Sequence, residues 1–293
     1  MSVEKGRGPD QEITSKKVAR RKYPFVAFFL LGLFLVTAFF GPLFAPHDPD
    51  AQDLSYSLKP PFWVEGGSMS HLLGTDSLGR DYLSRIIYGA RISLLVSSVA
   101  ICICGTIGVL LGLLSGYFGG LVDTLIMRFT DTWISMPALI LAIAFVSILG
   151  PGLRNVILVI GITAWTGYAR IVRGEVLGLK ELDFVDLARA TGCSEARILF
   201  SHILPNVVNT LIILVTLDTG RVIIWEAALS FLGLGVQHPT PAWGLMLAGG
   251  RKFLTSAWWL VTFPGIAILI TVLGANLTGN WLRDVLDPKQ KLR

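Results

Sequence analysis

Charged side chains are scarce in this sequence. Asp, Glu, Lys and Arg make up 15% of its 293 residues, against about 25% in typical soluble domains. Hydrophobic residues make up 53%, and the mean hydropathy is +0.64. Because so few charged side chains cannot cover a water-exposed surface, the composition excludes a soluble protein and predicts an integral membrane protein.

Disulfide partners and metal ligands are also few, with three cysteines and four histidines in the whole chain. Cys102 and Cys104 stand two residues apart, so a helix would point them away from each other. The histidines are dispersed with no i, i+4 pair, at His47, His71, His202 and His238. The sequence therefore predicts neither a disulfide framework nor a dedicated metal site.

The motifs of nucleotide-binding and catalytic proteins are missing as well. No G-x-x-x-x-G-K-[ST] run occurs, so the chain has no loop that would cradle ATP phosphates. No nucleophile, base and orienting group emerges, so we predict that the chain is not an enzyme by itself. The formal net charge of +5 does not indicate nucleic acid, because the excess lies at membrane-flanking ends of the chain.

What the sequence does contain is a series of charge-free apolar runs. A helix that crosses the hydrocarbon core needs about 20 apolar residues. The runs lie between Lys22 and Asp48, Arg91 and Asp123, Asp131 and Arg154, Arg154 and Arg170, Arg197 and Asp218, and Lys252 and Arg283. The fourth run is the shortest. We predict an all-α integral membrane protein with six transmembrane helices.

The distribution of Lys and Arg predicts the orientation of these helices. The leader is basic through Lys5, Arg7, Lys16, Lys17, Arg20, Arg21 and Lys22, which favours a cytoplasmic N-terminus. Six crossings return the basic C-terminus to the same side. The segment 183–205 is then cytoplasmic, and the loop 226–252 lies outside.

The segment 183–205 has a helix, turn, helix pattern between apolar runs. Asp183 or Asp186 can cap a first helix, and Gly192 supplies the left-handed residue that ends it. Ser194 can cap a second helix, and Pro205 cannot lie deep in a regular helix. The pattern alone leaves two interpretations open, a docking site for a protein partner and a solvated connector on the bilayer surface.

This segment resembles the cytoplasmic "EAA" loop of bacterial ABC-importer permeases, whose pattern is E-A-A, three residues, Gly, nine residues, then I-x-L-P. The spacing matches in full, with His202 at the isoleucine position. The resemblance implies that the segment docks an ATPase. The implied docking residues are Asp186, Leu187, Ala188, Gly192, Ser194, Glu195, Ile198, Leu204 and Pro205.

Two further stretches resemble the second permease subunit of dipeptide, oligopeptide and nickel importers. They are HLLGTDSLGRDYLSRIIYGARISL at 71–94 and EAALSFLGLGVQHPTPAWG at 226–244. The resemblance implies a type I importer permease fold and half of an inward path across the bacterial inner membrane. The cargo stays open between dipeptides, oligopeptides, nickel and another small solute.

The same resemblance implies the partners. They are a second, homologous permease, two cytoplasmic ATPases that bind the ATP and Mg²⁺, an extracytoplasmic solute-binding protein and membrane lipid. This chain itself needs no cofactor. The implied organisation is a basic cytoplasmic tail at 1–23, a first transmembrane helix at 24–45, an extracytoplasmic loop at 46–89, a five-helix core at 90–282 with the coupling loop at 174–205, and a cytoplasmic tail at 283–293.

Within the spans, two features stand out. Asp218 and Arg221 lie three residues apart near the outer part of the fifth span, where they can pair. They either face the translocation path or form a salt bridge at the outer rim. Gly108, Gly112 and Gly116 stand four apart in the second span, which predicts a face that contacts another helix in the bundle or in the partner permease.

Two outer stretches are predicted to shape the surface that receives the binding protein. In the loop after the fifth span, the candidate residues are Gln237, Pro239, Pro241 and Trp243. In the first outer loop, the helical spacing of apolar residues between Ser77 and Tyr88 predicts a short interfacial helix; packing within the protein is an equal alternative.

Two other classes of protein remain to be tested. An ion-coupled secondary transporter would carry buried carboxylates near the bilayer midplane, and Asp218 is the one candidate in these runs. A membrane scaffold would need the docking segment alone, but it would not explain the two further stretches. ATP dependence of uptake separates the first class from an ABC importer.

Overall fold

The computed structural model describes residues 24–286, and most of this range is helical. The basic segment 1–23, predicted to be a cytoplasmic tail, lies outside the described residues, as does 287–293 of the predicted C-terminal tail. Within 24–286 the structure has no named strand, only an isolated bridge between Thr75 and Asp81. The all-helical prediction is confirmed for this part of the chain.

The helices of the described range differ widely in length, from 3 to 37 residues. They are α1 Pro24–Phe44, α2 Tyr82–Phe118, α3 Gly120–Ile134, α4 Ala138–Leu149, α5 Leu153–Thr163, α6 Trp165–Leu179, α7 Asp183–Ala190, α8 Glu195–Arg197, α9 Leu204–Phe231, α10 Trp243–Gly250 and α11 Trp259–Leu286. A π-helical segment, Ile198–Ile203, joins α8 to α9. Single turns of 3₁₀ helix lie at Leu54–Tyr56 and Arg251–Phe253.

Five stretches are long and apolar enough to cross a membrane, namely Phe25–Phe44, Tyr82–Phe118, Leu153–Leu179, Glu195–Phe231 and Trp259–Leu286. A sixth exists if α3 and α4, which are bent by 85° at a short break, count as one span. Because α4 has only 12 residues, it is about 18 Å long and too short to cross alone. The prediction of six spans therefore holds only if this bent pair crosses as a unit.

The fourth predicted span is longer than its charge-free run. We expected it to end near Arg170, but the helical stretch continues to Leu179. Arg170 and Arg173 are accommodated because each has a partner on α3. An Arg170 Nη atom lies 2.5 Å from Asp131, and the Arg173 guanidinium binds both oxygens of Asp123 at 2.5 and 2.6 Å. A charge that is paired can extend a helix that an unpaired charge would end.

The prediction of a short interfacial helix at 77–88 was wrong. Residues 77–81 form a tight turn in which Asp76 Oδ1 accepts from the backbone N–H groups of Leu78 and Arg80. The helix begins only at Tyr82 and runs without interruption to Phe118. The apolar spacing that predicted a short helix belongs to the first turns of α2.

The core is built around α2, which packs against α1, α5, α6 and α9. The predicted glycine face is confirmed as a contact within the bundle. A Cβ atom at Gly112 would lie 2.7 Å from the Ala169 carbonyl oxygen, and Gly108 and Gly116 approach α6 as closely. The absence of side chains at these positions lets α2 and α6 pack backbone against backbone.

Candidate functional site

The segment between α6 and α9 folds as a small helical unit. Gly192 has φ +81°, so the predicted left-handed turn after α7 is confirmed. The Ser194 hydroxyl accepts a hydrogen bond from the Arg197 backbone N–H at 3.4 Å, so the second predicted cap is also present. We call residues 183–203 the coupling segment.

The first predicted cap was wrong. The residue before α7 is Leu182, and no side chain caps this helix end. Asp183 and Asp186 both lie inside the first turn, where their charges complement the helix dipole without making the cap bond. A carboxylate already inside the helix cannot occupy the capping position.

The second helix of the pattern does not stand apart from the membrane span. After α8, the chain passes through the π-helical segment into α9, which has Pro205 in its first turn. Pro205 has no N–H group and lies where α-helical hydrogen bonding begins. The α8 turn, the π-helical segment and α9 therefore form one continuous helical stretch, Glu195–Phe231, while α7 is separated from it by the turn at Gly192.

The predicted docking residues fall into two groups in the structure. Ala188 and Ile198 are buried, in a cluster with their neighbours Val185 and Leu199, which were not predicted, and with α2 and α6 residues such as Val172. Asp186, Leu187, Gly192, Ser194, Glu195 and Pro205 are exposed, and Leu204 is half-buried. Ala188 and Ile198 thus hold the segment on the bundle rather than offer a surface. Among the predicted docking residues, Leu187 is the large apolar side chain most available to a partner, with 65% of its surface exposed; Phe200 of the same segment is 52% exposed.

Polar contacts join the coupling segment to the ends of several helices. The Tyr117 hydroxyl, at the end of α2, donates to a Glu195 carboxylate oxygen. The Arg189 guanidinium lies over the Tyr117 ring, 5.4 Å from its centre. The hydrogen bond with Tyr117 is the main cause that raises the pKa of Arg189, so this side chain stays cationic. The segment is therefore attached to α2 by two different interactions.

A second group of contacts lies at the same end of the bundle. Asp123 receives the bidentate Arg173 pair and a hydrogen bond from the Ser115 hydroxyl, which joins α2, α3 and α6. The Thr210 hydroxyl donates to Glu175, which joins α9 to α6. Movement of α9 would therefore be transmitted to α6, and movement of α7 to α2, while Asp123 links α2, α3 and α6 to one another.

The predicted Asp218–Arg221 ion pair is confirmed, with an Nη atom of Arg221 2.9 Å from Asp218 Oδ2. Arg221 also lies over the Trp225 ring at 5.6 Å. Because α9 continues to Phe231, the pair lies near the middle of this helix. The charge-free run ended at Asp218, but the paired charges did not end the helix.

The predicted binding-protein surface divides in the same way. Gln237 and Pro239 are exposed, while Pro241 and Trp243 are buried. The Trp243 indole donates to the Ile86 carbonyl oxygen at 3.0 Å and packs against Phe34 of α1 and Gly89 of α2. Trp243 is thus a core residue and cannot form the predicted surface, because its ring fills the space beside Gly89.

Two groups in the outer loops escaped prediction. Arg85 is buried and donates to the Pro49 carbonyl at 2.7 Å and the Pro239 carbonyl at 3.3 Å, which ties both outer loops together. His47, His71 and Asp81 come together as a group that could hold a metal ion. The sequence did not show this convergence because the loop 46–81 folds back on itself, and distance along the sequence does not limit distance in space.

The family whose model matches is the binding-protein-dependent transport system inner membrane component, over residues 108–292. A second model, the N-terminal TM domain of oligopeptide transport permease C, matches residues 15–61. Together they cover both the core and the first helix.

Individual proteins match over most of the chain. The di/tripeptide transport system permease protein DppC of Pseudomonas aeruginosa is 47% identical over 259 residues, which cover 88% of this chain and 86% of the relative. The dipeptide transport system permease protein DppC of Escherichia coli K12 is 47% identical over 272 residues, with 93% and 91% covered. The glutathione transport system permease protein GsiD of Pectobacterium atrosepticum is 46% identical over 227 residues, with 78% and 75% covered.

These matches confirm the resemblance read from the three sequence stretches and the permease fold that it implied. The chain belongs to the family of binding-protein-dependent transport system inner membrane components.

Proposed function

We propose that this chain is the permease subunit of an ATP-driven importer and forms half of a path that carries dipeptides across the bacterial inner membrane. The observation that carries the proposal is the coupling segment, which presents Asp186 and Leu187 to solvent while its other face is buried against α2 and α6. Such a surface suits a protein partner that pushes on the bundle.

The partners in this proposal are a second, homologous permease, two ATPase subunits and a solute-binding protein. The sequence has no phosphate-binding loop of its own, so ATP and Mg²⁺ are bound by the ATPases. The coupling segment faces the cytoplasm together with both termini, as the basic leader favours. The exposed Gln237 and Pro239 lie on the opposite side, toward the binding protein.

The mechanism follows from the continuity of the helical stretch. ATPase closure around Leu187 displaces α7, and the displacement passes across the turn at Gly192 to α8 and from there through the π-helical segment into α9. Tyr117 and Thr210 pass it to α2 and α6 through their hydrogen bonds to Glu195 and Glu175. Packed helices transmit such displacements as rigid bodies.

The proposed cargo class rests on the relatives. Two of the proteins above are named for dipeptides or tripeptides and one for glutathione, and all are similar to this chain over most of its length. A peptide-sized solute is the class that these names share. Nickel or another small solute remains the alternative that the sequence left open.

The docking function is tested by Leu187→Asp, which places a charge on the exposed apolar position without disturbing the buried face. We expect ATP-dependent uptake to fall at least about tenfold while the complex still assembles. The reason is that an unpaired carboxylate pressed against the partner costs at least the roughly 1.4 kcal/mol that corresponds to a factor of ten. Leu232→Asp, at an exposed leucine just after the far end of α9 (55% exposed, against 65% for Leu187), is the matched control. Wild-type uptake by Leu187→Asp would contradict the docking assignment.

The cargo is tested in proteoliposomes that contain the co-expressed complex, with the binding protein outside and labelled dipeptides, oligopeptides and nickel offered in parallel. ATP-dependent accumulation of dipeptides supports the proposal. ATP-dependent accumulation of nickel alone would show that the cargo is nickel and not a dipeptide. Uptake that follows an imposed ion gradient and ignores ATP would establish the secondary-transporter class instead.

A further inference from the structure

Three side chains from separate parts of the first outer loop converge beside the start of α2. His47 follows α1, His71 lies in the loop, and Asp81 is the residue that caps α2. His71 Nδ1 lies 2.9 Å from Asp81 Oδ1, and His47 Nδ1 lies 3.7 Å from the same oxygen. The two imidazole rings are 4.7 Å apart between centres.

These distances suit a small divalent cation. Each residue offers one ligand atom, and the three atoms lie within 4.8 Å of one another. Around tetrahedral zinc, with bonds of about 2.0–2.1 Å, two ligand atoms are roughly 3.3 Å apart. The nitrogen-to-oxygen distances of 2.9 and 3.7 Å lie on either side of that value, so side-chain shifts of a few tenths of an ångström bring both atoms into range.

The carboxylate is held in a fixed orientation. Its Oδ2 atom accepts from the Ser84 backbone N–H at 2.8 Å and from the Ser84 hydroxyl at 2.7 Å. The same hydroxyl oxygen accepts from the His47 backbone N–H at 3.1 Å. The Oδ1 atom is thereby left facing the two imidazoles. Outer-shell hydrogen bonds of this kind orient ligands in metal sites.

The group is enclosed but has one open side. The Asp81 side chain is fully buried and that of His71 nearly so, while 38% of the His47 side chain is exposed. His47 lines an open cavity of about 890 Å³, whose wall also includes Asp48, Asp50 and Arg91. An ion can reach the group through this opening, and water can occupy a fourth coordination position.

We propose that His47, His71 and Asp81 form a binding site for a divalent transition-metal ion, with zinc the best match to two imidazoles and one carboxylate. When the ion binds His71 Nδ1, it takes the place of the hydrogen bond between His71 and Asp81; the Nδ1 proton is released to solvent and Nε2 takes up a proton from solvent, so the imidazole stays neutral. The bound ion then connects the chain just after α1, at His47, to the residue that caps α2, Asp81. The site does not depend on which cargo the importer carries.

The test uses the full-length chain, purified in its complex on an affinity tag without histidine. Zinc affinity is measured by equilibrium dialysis, and Co²⁺ serves as a visible-absorption probe of a low-coordinate site. His47→Ala is the main variant because His47 is the most exposed ligand. His238→Ala, an exposed histidine of the other outer loop, is the matched control.

We expect one zinc per chain in the wild type and in His238→Ala, and affinity at least about tenfold weaker in His47→Ala. Zinc should also raise the melting temperature of the wild type but not of His47→Ala, because an ion that binds only the folded state stabilises it. His71→Gln provides a second ligand variant if His47→Ala assembles poorly. The site would be overturned if the wild type bound no zinc, or if His47→Ala and His71→Gln both bound zinc with the wild-type affinity. Either result would leave an ordinary histidine–aspartate hydrogen bond.

Discussion

The Tyr117 hydroxyl, at the last turn of α2, donates a hydrogen bond to Glu195, which lies 78 residues further along the chain in the coupling segment. This bond connects the helix at the centre of the bundle to the segment that we propose docks an ATPase.

Tyr117→Phe removes the hydroxyl but keeps the ring beneath Arg189. We expect the complex to assemble normally and ATP-dependent uptake to fall several-fold, because one hydrogen bond to a charged group contributes about 1.5–3 kcal/mol. Uptake per ATP hydrolysed is the measurement. Tyr88→Phe, near the other end of α2, is the control, and an equal loss in both variants would argue against a specific link.

Gly112→Ala should destabilise the bundle, because the new Cβ would lie 2.7 Å from the Ala169 carbonyl oxygen and 2.8 Å from Val172. Overpacking of this kind costs about 1–3 kcal/mol. Thermal unfolding in detergent measures the loss. Gly167→Ala, a helical glycine with open space around its Cβ position, should unfold at or above the wild-type temperature.

Arg173→Asp should reduce assembly, since it places two carboxylates together where Asp123 now binds a guanidinium bidentately. The exchange Asp123→Arg with Arg173→Asp restores opposite charges and should recover much of the lost complex. Yield of monodisperse complex is the readout. If the double variant is no better than the single one, the pair contributes through something other than its charges.

Trp243→Ala should cost about 3–5 kcal/mol, because the indole is buried and also loses its hydrogen bond to Ile86. Trp258→Ala, at an exposed position, should change stability little. Both are measured by thermal unfolding. If Trp243 instead formed part of the binding-protein surface, its removal would weaken binding-protein affinity with little effect on stability.

Local chemistry made some of these features predictable and left others out of reach. Gly192 and Ser194 were placed correctly because a left-handed turn and a helix cap depend on a few neighbouring residues. The glycine face of α2 was also visible in the sequence, since its spacing follows the helical repeat. Features of this kind need no knowledge of the tertiary fold.

The errors share a different cause. Arg170 was taken as the limit of a span, because its acidic partner on α3, Asp131, lies 39 residues away in sequence. Trp243 looked like a surface residue in a proline-containing loop, and nothing local shows that its ring meets Gly89. The convergence of His47, His71 and Asp81 likewise depends on how the outer loop folds back.

The unbroken stretch Glu195–Phe231 has 37 residues, which corresponds to about 55 Å of helix. The hydrocarbon core is only about 30 Å thick, so even a tilted helix extends well past the acyl chains. The exposed, charged start of this stretch, with Glu195 and Arg197, is therefore expected to lie outside the hydrocarbon core. Charges in water are screened by salt, so the ionic part of the proposed ATPase contact should weaken as salt concentration rises.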